Sequence, residues 1–314
     1  MHLILLAGVV GMALLIRWSS IVKRPAFPKA QDWQGTIVAL ILPGVLLLSS
    51  AVAILIMGHH GRMWGLPVNG VACWMAKLSL GWAVCHGIRL GWEQWKLERW
   101  LQTLPLLEPW DLPEGVLPPE TIVYYLDLPQ IMAGQTGVFR SRIVVSEGLL
   151  SLPTDQIQAV LAHEQAHFQY RDNLWGMAIG WLRGIGAWLP GSDRLWQDLL
   201  LLRECRADAQ AAQTTDPLVL AETLVLAVRS SVLEQSRDSS GTFSLACIGL
   251  QTASDRVSYR VESLLEVEAA IQKQPPGFSI GWVTLGSLLL GLLPLGSIAF
   301  HHLGPLLDCA TSMH

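Results

Sequence analysis

Charge is what this sequence has least of. Of its 314 residues only 15% are Asp, Glu, Lys or Arg, against about a quarter in ordinary globular chains, while 51% are hydrophobic. The deficit is concentrated, since residues 33–58 and 279–300 carry no ionisable side chain at all. Cysteine is also sparse: the five present include no CxxC pair, which excludes a disulfide scaffold and fits a reducing compartment. No basic run suited to nucleic acid occurs, and the net charge is only −4. Histidine is nearly absent from the polar middle of the chain. Between residues 90 and 278 only His163 and His167 occur, so no centre there can be built on three histidines.

What is abundant is apolar sequence in lengths near those that cross a bilayer, roughly 20 residues. Four runs qualify: residues 2–16, 33–58, 66–88 (interrupted by Lys77 and His86) and 279–300. The first lacks a basic leader and a small-residue cleavage site, with Ile16-Arg17-Trp18 at its end, so it reads as a retained anchor. Arg17, Lys23, Arg24 and Lys29 follow the first run, whereas only Arg62 follows the second. The positive-inside rule then places residues 90–278 in the cytoplasm, behind Arg89, Lys96 and Arg99. The expected fold is a mainly α membrane protein of about four transmembrane helices with an α+β cytoplasmic domain. Its divisions are residues 1–92, 93–278 and 279–314.

Within the middle part, residues 90–103 read either as an amphipathic interfacial helix or as an extension of the third span. A proline-rich linker occupies 105–119, and β-type runs follow at 121–126, 130–133 and 142–146, with Gly134 and Gly137 as turn residues. From Thr154, the expected N-cap, apolar residues recur at helical spacing to about Asp172. Residues 174–190 are apolar yet contain Arg183 and four glycines. A charge in mid-span costs about 2.5 kcal/mol or more, so a hairpin resting on the bilayer or on other helices is expected there. Two further helices are expected, at 192–212 and from Asp216-Pro217.

The run Ala162-His163-Glu164-Gln165-Ala166-His167 places two histidines one helical turn apart on one face. Both imidazoles can reach one zinc ion, and Glu164 stands close enough to take a proton from a water on it. Such a site needs a third protein ligand and an open fourth position. The pattern HxxGxxH fails, because Tyr170 and Asn173 stand where its glycine and third histidine would be. The run Arg203-Glu204-Cys205-Arg206-Ala207-Asp208 offers Glu204 as the third ligand, with Cys205 the alternative. Asp208, one turn on, is placed to hold a histidine by its free N–H. Asp172 either braces the metal helix or merely ends it. Taken alone, the acids of this run would pass for a solvated face shared with Arg203 and Arg206.

AHEQAH followed by Glu204-x-x-Ala207-Asp208 resembles the gluzincin membrane peptidases. These comprise the BlaR1/MecR1-type receptors of family M56 and the related HtpX/Ste24 group, M48. The resemblance implies a zincin-like domain, one zinc per chain and hydrolysis of peptide bonds in cytosolic or membrane proteins at a bacterial inner membrane. Residues 137–146 are similar to the strand before the M56 metal helix, and Asp172 matches the aspartate of HExxHxxxxD in that family. M48 enzymes use a later histidine for the transition state, which this region lacks. M56 is therefore the expected family, without its outer penicillin-sensing domain, and a BlaI-like repressor is one implied substrate. Membrane quality control, as in the HtpX group, is the other. The oxyanion stabiliser stays open, with Tyr259 and Arg260 as candidates. A substrate strand would add to a sheet edge at 130–134 or 138–142. A membrane scaffold that keeps zinc for structure is the competing reading; Glu164 speaks against it, since a structural site needs no base.

Overall fold

In a computed structural model the described residues are 2–22, 27–29, 32–57, 62–63, 66–67, 70–107, 112–113, 117–118, 120–137, 142–235, 254–269 and 292. They fall into two compact units. One draws on residues up to Trp92 and on Met177–Leu199, the other on Glu93–Gly176 and on residues from Leu200. The fourth apolar run, apart from residue 292, and the pairs His59-His60 and His301-His302 lie outside the described residues.

In the first unit α1 spans His2–Val22 and α2 Trp33–Met57. The helix α1 runs past the expected end of the first apolar run, so Arg17 is not in a loop but inside the helix, with its side chain buried. A short antiparallel pair, β1 (Arg62–Met63) and β2 (Leu66–Pro67), precedes α3, which starts at Gly70 rather than at residue 66 and continues to Leu101. Both α2 and α3 contain stretches long and apolar enough to cross a membrane, whereas the apolar part described in α1, Ala7–Val22, is shorter. At 1.5 Å per residue α3 is about 48 Å long, well beyond the roughly 30 Å of a hydrocarbon core. Residues 90–101 are thus the extension of one helix, and its tryptophans Trp74, Trp82, Trp92 and Trp95 are exposed.

The apolar segment after residue 172 forms α6 (Asp172–Ile185), only 14 residues or about 21 Å long. In this unit it packs on other helices through small residues. Trp181 Nε1 donates to the Ala83 carbonyl at 2.9 Å. A Cβ at Gly44 would lie 2.8 Å from the Leu182 carbonyl oxygen, and one at Gly184 would strike His86 Nε2. Arg183 is accounted for by an ion pair with Asp193 and by the Trp196 ring, 5.3 Å from its guanidinium carbon.

The second unit is built on a three-stranded sheet of order β3 (Ile122–Leu126), β5 (Arg142–Ser146), β4 (Ala133–Thr136). The central strand β5 runs parallel to β3 and antiparallel to β4. This corrects the run expected at 130–133, since Gly134 is a strand residue and the turn begins at Gly137, φ 85°. Valines and isoleucines of β3 and β5 pack with Leu149, Ile157 and Leu161 to form the core. Here α4 is Glu147–Leu150 and α5 is Thr154–Gln169. The N-cap of α5 is Pro153, one residue before the expected Thr154, and it makes no side-chain cap bond. The opposite side of α5 is covered by α7 (Ser192–Ala211), α8 (Pro217–Gln235) and α9 (Ser254–Ala269), through Ala159, Ala211, Leu220, Ala221 and Leu264. Asp216 Oδ1 caps α8 by accepting from Leu218 N at 2.8 Å.

Gly148 in α4 is a fixed point of this unit. A Cβ there would lie 2.2 Å from the Pro129 carbonyl oxygen and 2.6 Å from that of Gln130, both backbone. Gly148→Ala is expected to destabilise the unit by about 1–3 kcal/mol through overpacking. Denaturant melts of the variant and wild type will read that loss; unchanged stability would show that the turn before β4 yields freely.

Candidate metal centre

Helix α5 is closed on both sides, so its polar residues are buried: His163 is 7% exposed, Glu164 2% and His167 2%. Their one-turn spacing brings His163 Nε2 within 3.1 Å of His167 Nε2. From α7, Glu204 brings Oε2 to 3.4 Å from His163 Nε2 and 3.7 Å from His167 Nε2. Among the described residues this is the group that could hold a metal ion. Zinc bound tetrahedrally at 2.0–2.1 Å separates its ligand atoms by about 3.4 Å, which these separations bracket.

The hydrogen-bonding pattern makes the same point independently. His167 Nδ1 lies 2.7 Å from Asp172 Oδ2, and His163 Nδ1 lies 2.9 Å from Asp208 Oδ1. The first contact is a hydrogen bond; the second, at His163, is a close ion-pair approach without hydrogen-bond geometry, so only His167 has its Nδ1 bonded and its Nε2 left facing the other ring. Glu204 Oε1 accepts from Arg203 Nη2 at 2.8 Å and Nε at 3.2 Å. Its buried Oε2 accepts no hydrogen bond among the described residues. Two imidazole Nε2 atoms and a carboxylate oxygen that accepts no hydrogen bond converge, an arrangement that a metal ion satisfies.

Asp172 reaches His167 because α5 ends early. Tyr170 and Arg171 form a turn, with Arg171 in the left-handed region at φ 53°, and Asp172 opens α6 facing back. Arg206 donates to Asp172 Oδ1, and Arg260 of α9 donates from Nε and Nη2 to the two Asp208 oxygens at 2.7 Å each. Arg260, one of the two oxyanion candidates, is thus no surface residue: it is 1% exposed, and Nη1 stands 3.4 Å from Glu204 Oε2. Nor do Arg203 and Arg206 belong to a solvated face, since each pairs with an acid of this cluster. Four carboxylates (Glu164, Asp172, Glu204, Asp208) face three guanidiniums (Arg203, Arg206, Arg260). With neutral imidazoles the cluster is short of positive charge, which suits a divalent ion.

The titration behaviour follows. Burial raises the cost of charging Glu204, but His167 and Arg203 outweigh it and hold this carboxyl well below the usual range. Burial likewise disfavours the His163 imidazolium, yet Asp208 and Glu204 raise its pKa from 6.5 to about 10 in the metal-free chain. Burial and Asp208 push the Cys205 thiol up to about 12, and its sulfur is not among the ligand atoms that converge. Because the folded His163 value is raised, its contribution to metal-free stability is complete below about pH 6.5 and lost as pH climbs through about 10. Zinc must displace that proton, so its apparent affinity is expected to rise nearly tenfold per unit between about pH 7 and 9. Zinc titrations at fixed ionic strength test this; a flat profile contradicts proton release at His163.

Two polar residues with no motif signal complete the site. Glu164 Oε2 accepts from the backbone N–H of Gln135 on β4 at 2.7 Å. Asn173 Nδ2 in turn donates to Gln135 Oε1 at 2.7 Å and to the Gln135 and Gly137 carbonyls at 3.1 and 3.2 Å. Strand β4 is the sheet edge beside the metal helix, in the region of the 130–134 alternative; residues 138–141 lie outside the described residues. A cavity beside His163 and Glu164 is walled by Ala133, Val160, Leu224, Ala227 and Arg260.

The comparisons with known proteins each cover part of the chain. The model of Peptidase family M48 matches residues 113–192. A protease HtpX homolog from Aeropyrum pernix is 30% identical over 145 residues, 43% of this chain and 45% of that protein. A protease HtpX from a Shewanella species is 32% identical over 127 residues, 40% of this chain and 39% of the relative. The chain spans less than half the length of these curated relatives. The matches support a metallopeptidase of the M48 type, and the M56 placement finds no support. The matched segment, residues 113–192, ends before the region that lacks a further histidine.

Proposed function

We propose that the chain is a membrane zinc metalloendopeptidase that holds one zinc through His163, His167 and Glu204 and uses Glu164 as general base. The convergence of two Nε2 atoms and the unsatisfied Glu204 Oε2 within 3.7 Å is the observation that carries this reading. When bound, zinc would acidify a water toward pKa 7 and polarise a peptide carbonyl. Glu164, its carboxylate aimed by the Gln135 N–H, takes the proton from the attacking water and passes it to the leaving amine. Asp172 keeps the His167 imidazole in the tautomer that leaves Nε2 unprotonated, and Asp208 stands against Nδ1 of His163.

An extended substrate pairs with the edge of β4 around Ala133, because Gln135 N is already given to Glu164. The adjoining cavity, walled by Val160, Leu224 and Ala227, suits an aliphatic side chain. Four spans, with the site facing the cytoplasm of a bacterial inner membrane, remain the proposed arrangement; α2 and α3 support it by length and composition. Substrates are then cytosolic proteins or the inner ends of membrane proteins, in membrane quality control. A BlaI-like repressor rested on the M56 resemblance and is not carried forward.

The test compares protein N-termini in cells carrying wild type and cells carrying Glu164→Ala. New termini confined to wild type, clustered on membrane proteins, are expected. Identical termini under several stresses would contradict proteolysis and leave a scaffold with structural zinc.

A further inference from the structure

Each ligand histidine faces a carboxylate that a buried arginine grips in turn, His167 through a hydrogen bond and His163 through a close ion-pair contact without hydrogen-bond geometry. On one side His163 Nδ1 meets Asp208 at 2.9 Å, and Arg260 grips both Asp208 oxygens at 2.7 Å. On the other, His167 Nδ1 meets Asp172 Oδ2 at 2.7 Å, and Arg206 donates to the remaining oxygen, Oδ1. Both arginine side chains are buried, at 1% and 5% exposure. They arrive from different helices, Arg206 from α7 and Arg260 from α9, the latter 52 residues beyond Asp208.

We propose that Arg206 and Arg260 are positioning residues of the metal centre, fixing the rings of His167 and His163 through Asp172 and Asp208, so that tight zinc binding requires α9. The proposal rests on the metal-site reading above. A carboxylate bonded only to an imidazole can rotate about its side-chain torsions and let the ring swing. One whose second oxygen is taken by a buried guanidinium cannot, because leaving would strand a charge out of water. Arg260 does more than this, since its Nη1 stands 3.4 Å from Glu204 Oε2. One side chain therefore touches the carboxylates on two of the three ligand arms. Buried ion pairs are a weak source of fold stability compared with apolar packing, so stability alone does not explain two such arginines in matching places.

The test uses the full chain in detergent micelles, with zinc affinity read by competition against a chromophoric chelator and ring geometry by the visible spectrum of the cobalt-loaded protein. Arg260→Gln and Arg206→Gln are each expected to lower zinc affinity on the order of 10- to 100-fold and to shift the cobalt bands. Asp208→Asn should cost no more than Arg260→Gln, which also loses the contact with Glu204, and the double variant little more than Arg260→Gln alone, because Asp208 acts only through the ring that Arg260 also holds. Should Arg260→Gln fail to fold, Arg260→Lys keeps the charge but not the two-point grip, and is expected to weaken zinc by at least about threefold. Folded arginine variants with wild-type zinc affinity and an unchanged cobalt spectrum overturn the proposal, as does full additivity with Asp208→Asn. A wild-type chain that takes up no zinc overturns the metal-site reading itself, and is told apart by that control.

Discussion

Replacing Glu164 by glutamine is expected to abolish peptide hydrolysis while leaving the chain folded and loaded with zinc. The side-chain amide cannot take a proton from water, and loss of a positioned general base typically lowers the rate by about 10²- to 10⁴-fold. Glutamine keeps a carbonyl oxygen to accept from the Gln135 N–H, now bonded at 2.7 Å. Alanine would leave that buried donor unmet, at about 1–3 kcal/mol. Glu164→Gln should therefore match wild type in zinc content and melting temperature, and Glu164→Ala should melt lower; both should be inactive. Hydrolysis by Glu164→Gln at a wild-type rate would remove Glu164 from the mechanism.

A second large effect is expected at Glu204. Glu204→Ala removes one of three ligands, and zinc affinity should fall by more than roughly 100-fold, beyond the 10- to 100-fold typical of residues that only support ligands. The same change leaves Arg203 without the carboxylate oxygen it bonds at 2.8 Å. Breaking a buried pair from one side costs about 3–5 kcal/mol, so the metal-free variant should also melt lower. Equilibrium dialysis with zinc analysis reads the first effect, and thermal melts with and without zinc read the second. Zinc should raise the melting temperature of wild type and leave that of the variant unmoved. Zinc bound by Glu204→Ala as tightly as by wild type would take Glu204 out of the ligand set.

The contrast between these residues and their partners shows what a sequence carries on its surface. His163, Glu164 and His167, and likewise Glu204 and Asp208, are linked by helical spacing, a local rule that needs no fold. Asp172 was within reach of the same logic, yet its role depends on the left-handed Arg171 turn, which no glycine announces. Arg260, Gln135 and Asn173 act across 52, 29 and 38 positions of sequence, and no periodicity connects them. Arg203 and Arg206 read as solvated because charge on a helix usually is; their pairing with Glu204 and with Asp172, and the Tyr170 ring under Arg206, reverse that. Strand β4 was displaced because Ala133-Gly134-Gln135-Thr136 has weak β-propensity. It is a strand through pairing with β5 rather than by its own composition. Of the two readings open for residues 90–103 the helix extension is the one found, and the segment after residue 172, with Arg183 in it, forms a helix of only 14 residues.

The central claim is tested most directly by stripping and reloading the metal. The purified full chain, in micelles, would be given an unfolded protein such as casein before and after removal of zinc by a chelator, then with one equivalent of zinc restored. Cleavage that vanishes with chelation and returns with one zinc per chain is the predicted result. Cleavage that persists in the metal-free chain, or a zinc-loaded chain that never cleaves, would contradict the account.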